Sequence, residues 1–132
     1  MNKKLCFVTM FILLATLIAS SAFAQTIMPR ADLYFDSATV FLSADKIVVF
    51  DCTLYDVYDR ISVTSVWLER MVNGQWVYEK ALTPPSYVAI NMFDYGAEVD
   101  YSEDIGTGTF RVGFTVDADG YSISRYSNSR TF

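Results

Sequence analysis

From Tyr34 onward, apolar and polar residues alternate every second position instead of recurring every three or four. That is the pattern of half-buried strands and not of amphipathic helices. Tyr34–Leu42 is predicted as a strand with Ala38, Val40 and Leu42 on one face. Ser43-Ala44-Asp45-Lys46 turns the chain into Ile47–Leu54, where Val48, Phe50, Cys52 and Leu54 share a face opposed by Asp51 and Thr53. The polar stretch Asp56–Arg60 is predicted as a loop or a single helical turn. In the next strand, Val63–Val72, Thr64, Val66, Leu68 and Arg70 alternate against Val63, Ser65, Trp67 and Glu69.

Asn73-Gly74 is the strongest hairpin signal, because both central residues of a type I′ turn need φ > 0. It leads into a strand over Gln75–Lys80. Pro84-Pro85 then imposes an extended stretch outside any ladder. Val88–Met92 and Ala97–Ser102 are weaker strands. Thr109–Asp117 is the clearest core strand, with Phe110, Val112, Phe114 and Val116 on one face and Arg111, Gly113 and Thr115 on the other. Asp119-Gly120 turns it into Tyr121–Thr131. About seven short strands with frequent turns predict an all-β fold, an antiparallel β-sandwich.

The N-terminus changes the picture of composition. Lys3 and Lys4 precede an apolar run over Leu5–Ile18, and Ala22-Phe23-Ala24 reads as a cleavage site before Gln25. Residues 1–24 are therefore predicted as an export signal and residues 25–132 as one secreted domain, released from the membrane because the run is too short to span it. Without residues 1–24, eight Lys and Arg face fifteen Asp and Glu, a charge of −7. Such a balance disfavours nucleic acid and anionic membranes as partners. Cys52 is then the only cysteine, so no internal disulfide forms and the core must supply the stability. Eighteen aromatic residues are available for it.

Gly108-Thr109-Phe110-Arg111-Val112, Phe114-x-Val116, Ala118-Asp119-Gly120 and Ser122 resemble the last two strands of fibronectin type III and immunoglobulin-like domains. Asp104-x-Gly106 resembles the acidic corner before the penultimate strand of such sandwiches. With Arg30-Ala31-Asp32, the Asn73-Gly74-Gln75-Trp76 hairpin and the aromatic-Arg C-terminal strand, the chain is similar to short secreted immunoglobulin-like proteins of Gram-positive bacteria. The resemblance implies a fold and export, but no activity. It stops short of antibody domains, because Val112 stands where a disulfide partner for Cys52 would be expected.

Candidate chemistry is sparse. The chain has no histidine, the commonest general base and metal ligand. Alternation puts Cys52 among apolar neighbours, where a thiol stays protonated, and no nucleophile or phosphate motif is present. No catalytic residue, protein-bound metal or cofactor is therefore expected, and the chain is not read as an enzyme; a carboxylate-dependent hydrolase is the distant alternative. The acids Asp94, Glu98, Asp100, Glu103, Asp104, Asp117 and Asp119 read as solvated loop charge, or else as a loose Ca²⁺ site.

The aromatic residues offer more. If Val66 and Leu68 face the core, Trp67 faces out, and Trp76 and Tyr78 share a face across the hairpin; the other register buries Trp67 instead. Trp67, Trp76 and Tyr78 are thus the candidate ligand-binding residues, for stacking on sugar rings or anchoring a protein. The strand carrying Tyr121, Arg125, Tyr126 and Arg130 is a second candidate, as an edge open to strand addition or, equally, one whose charges block such pairing. The expected function is a monomeric, non-catalytic binding or adhesion module for a protein or a glycan.

Overall fold

The computed structural model describes Leu33–Phe132; the predicted export signal, Cys6 and Gln25 lie outside the described residues. Seven strands follow among these: β1 (Phe35–Leu42), β2 (Ile47–Val72), β3 (Gln75–Leu82), β4 (Val88–Asp100), β5 (Thr109–Ala118), β6 (Tyr121–Tyr126) and β7 (Arg130–Thr131). Every pairing is antiparallel, and all seven join one hydrogen-bonded sheet.

The main departure from the sequence pattern is β2. Asp56–Arg60 is not a loop: it continues a single strand of 26 residues that joins two predicted strands. Its N-terminal half lies between β1 and β4, and its C-terminal half lies between β5 and β3. The buried side switches twice along it, from the even positions Val48–Leu54 to Ile61 and Val63, then back to Val66 and Leu68. Each switch coincides with a break in register, between Thr53 and Tyr58 against β4 and between Val63 and Ser65 against β5. An odd number of extra residues, three at the first break and one at the second, rotates the following side chains to the other face and bends the strand. The two weaker predicted strands after Pro85 likewise merge into β4.

The sheet curls so that Phe50 of β2 meets Phe114 of β5, with ring centroids 5.5 Å apart. Around this pair pack Leu42, Val48, Cys52, Ile61, Leu68, Phe110, Val112 and Val116, all without solvent exposure. Side chains close the curl where no ladder runs. The Asn128 amide accepts from Leu42 N (2.9 Å) and donates to Leu42 O (3.0 Å), which ties the end of β1 to the segment leading into β7.

Turns behave as their residues dictate. Asn73 and Gly74 both take positive φ (51° and 78°), as do Asp119 and Gly120 (50° and 94°). The Asp119 carboxylate also accepts the backbone N–H groups of Asp59 and Arg60, each at 3.0 Å, and so clamps the bent middle of β2. Two tyrosines pin the proline segment. Tyr101 Oη donates to Thr83 O at 2.6 Å, and Tyr95 Oη donates to Tyr87 O at 3.1 Å.

Burial pushes the Tyr95 and Tyr101 hydroxyls and the Cys52 thiol up to about 12, from 10 for the phenols and 9 for the thiol. Their protons are held more tightly in the fold than in the open chain. The stability this contributes is complete below pH 9 and is lost as pH rises towards 12. Urea denaturation should therefore show falling midpoints across that window. Tyr101→Phe leaves the Thr83 carbonyl without its donor, so at neutral pH the variant should lose about 0.5–1.5 kcal/mol by the same measurement. An unchanged midpoint would remove the tyrosine from the account of the proline segment.

Candidate functional site

The outward face of β2, β3, β5 and β6 gathers the aromatic candidates. Trp67 lies opposite Gly113 of β5 and Ala81 of β3; Glu69 lies between Arg111 and Tyr78; Met71 faces Trp76. Tyr126 of β6 sits beyond Gly113. Directly opposed residues share a face of the sheet. The choice of register for Trp67 is therefore decided: Val66 and Leu68 are buried, and Trp67 points the other way, half-buried.

Trp67 does not stand free on that face. Its indole lies flat across Gly113, where any side chain would overlap the ring. Tyr126 meets it edge-on, with centroids 5.8 Å apart and planes at 90°. Its Nε1 donates to Glu69 Oε2 at 2.9 Å. The other oxygen, Glu69 Oε1, accepts from Arg111 Nη2 at 2.8 Å and Nε at 3.2 Å. The Arg111 guanidinium in turn lies 3.9 Å from the Tyr126 ring centroid and 4.7 Å from that of Trp76. Cation–π contacts of this kind contribute on the order of 0.5–2 kcal/mol each.

Glu69 is only 7% exposed, the one buried charged residue in the described fold. Burial alone raises a carboxyl, yet hydrogen bonds from Arg111 and Trp67 outweigh it and hold Glu69 below its ordinary value. The carboxylate therefore stays charged and keeps Arg111 against the rings. Trp67 and Trp76 are brought into one cluster through these two charged residues, while Tyr78 stands at its rim, 62% exposed. Sequence reasoning missed Glu69, Arg111 and the part Tyr126 plays. One signal was legible: Gly113, an outward glycine in the clearest core strand, marks a place where another group approaches the backbone.

Several of the remaining candidates are occupied locally. Tyr121 stacks on Tyr34, with centroids 3.9 Å apart, and Arg130 Nε donates to Leu42 O at 3.0 Å. Asp117 accepts from Gly120 N and Ser122 Oγ. Asp100 accepts from Ser102 N, which lowers its carboxyl from the usual value. Among the described residues no group of three or more Cys, Asp or Glu side chains is arranged to hold a metal ion. Cys52 packs as a small apolar residue in the core, as its place in the alternation indicates.

No protein-family model, curated protein or solved structure matches the chain. The chemistry of its own faces must carry the functional reading.

Gly113→Ala should force the Trp67 ring off the sheet. Overpacking of this kind costs about 1–3 kcal/mol, measurable in urea. The displaced indole should also shift tryptophan emission to the red. Unaltered emission and stability would show that the ring does not depend on the glycine.

Proposed function

We propose that this chain is a secreted, non-catalytic protein-binding or adhesion module on an immunoglobulin/fibronectin type III-like β-sandwich. The facing of Phe50 and Phe114 across a single core supports the two-layer reading. Lys3-Lys4, the apolar run and Ala22-Phe23-Ala24 support export.

A protein rather than a glycan is favoured by how the exposed surface is divided. On the Trp67 face, Arg111 already covers Trp76 and Tyr126, and Trp67 spends its N–H on Glu69. A sugar needs an open aromatic face and free donors beside it. Large apolar side chains instead stand exposed where β2 bends beside β4: Tyr55, Val57, Ile90, Met92 and Phe93. This concentration of solvent-facing apolar groups is the observation that carries the reading, because such patches mark contact surfaces for other macromolecules.

Tryptophan emission followed during titration with cell-wall and mucin glycans tests the choice. The expected result is no shift at any glycan concentration up to the millimolar range. A saturable shift that disappears in Trp76→Ala would overturn the proposal in favour of a carbohydrate-binding module built on Trp67, Trp76 and Tyr78.

A further inference from the structure

Between Leu54 and Ile61 on β2, and between Ala89 and Tyr95 on β4, no residue is buried. The register gives the reason. Thr53 pairs with Asp94 and Tyr58 with Met92, so β2 carries four residues where β4 carries Phe93 alone. Asn91, at φ 52°, marks the matching distortion in β4. Strand alternation that buries Ala89 and Tyr95 would turn Asn91 and Phe93 inward as well, yet both are exposed, Phe93 at 53%. Only Tyr58 of this stretch packs, half-buried, against the core, and a two-stranded ribbon with so little burial is marginal on its own.

The outer edge of this ribbon is bare. Among the described residues β4 hydrogen-bonds to β2 only, and half the backbone groups of an edge strand point away from its neighbour. Edges are ordinarily guarded by charge or proline. Tyr87–Phe93 contains neither; Pro84-Pro85 lies before it and the acids begin at Asp94. Within the ribbon stand Asp56, Asp59 and Asp94 against a single base, Arg60. A second copy of this acidic chain would bring like charges together, and so would an anionic membrane. A strand with basic residues beside apolar ones would not.

We propose that the β4 edge at Val88–Asp94 takes up, by strand addition, an extended segment of a partner protein in which apolar residues are interleaved with Lys or Arg. Backbone hydrogen bonds give the affinity in such a mode, while side-chain pockets and flanking charge give the selectivity. The inference rests on the protein-binding function proposed above and assigns it a surface and a partner chemistry.

The purified protein is titrated with three short synthetic peptides in which Val alternates with Lys, with Glu or with Thr. Amide hydrogen exchange, sedimentation and anionic phosphatidylserine vesicles supply the other readouts. The expected result is binding of the lysine peptide at least about tenfold tighter than the others, weakened by salt. Protection should appear over Val88–Asp94, and Met92→Lys and Phe93→Lys, both at exposed positions, should abolish binding while leaving the circular dichroism unchanged. Equal binding of all three peptides, or of none, overturns the inference. Self-association lost in Met92→Lys would replace it with a second copy as occupant, and vesicle binding would replace it with a membrane. Peptide binding lost in Trp67→Ala but retained in Phe93→Lys would overturn this surface and leave the protein-binding function standing. Glycan binding without peptide binding would remove both.

Discussion

A strand of 26 residues advances roughly 3.3 Å per residue, which extended would carry it about 85 Å. A domain of about a hundred residues has a radius of gyration near 13 Å. β2 therefore cannot run straight inside the fold, yet its backbone groups need partners along its length. Bending at bulges resolves the conflict, and the rest of the structure depends on where the bends fall. Each reverses the buried face, so the even-numbered core residues of one half and the odd-numbered residues after the bend pack against the same interior. The bends also go with the curl of the single sheet, across which Phe50 lies against Phe114.

The local grammar of the chain was legible in its sequence, and its long-range geometry was not. Alternation identified the buried faces of β1, of the N-terminal half of β2 and of β5, and Asn73-Gly74 and Asp119-Gly120 announced their turns through the φ they require. Asp56–Arg60 was opaque because a strand that buries little beyond half of Tyr58 has the composition of a loop; what makes it a strand is pairing with β4 and the clamp from Asp119, some sixty residues away. Trp67 could not be assigned a face, because its register hangs on the bulge between Val63 and Ser65. The partners that fix it in place, Glu69 and Arg111, are joined across 42 residues of chain. No spacing rule connects them.

The two exposed regions are unlike in their state of completion. On the Trp67 face the aromatic rings, a carboxylate and a guanidinium satisfy one another: a buried charge is held ionised, a glycine is covered by the indole, and Tyr126 of β6 is held alongside. Where β2 bends beside β4, apolar side chains and strand edge remain without counterparts among the described residues. Sequence attention goes naturally to tryptophan, but the apolar side chains exposed along this stretch of β4 are an isoleucine, a methionine and a phenylalanine.

Cys52 sits at the centre of the fold with no solvent exposure, on the stretch of β2 gripped by both β1 and β4. Its sulfur is buried within the core cluster, so that it meets a reagent only when the packing around it opens. The molecule thus carries its own reporter of whole-domain opening, a thiol whose rate of reaction with a small reagent counts excursions from the native state.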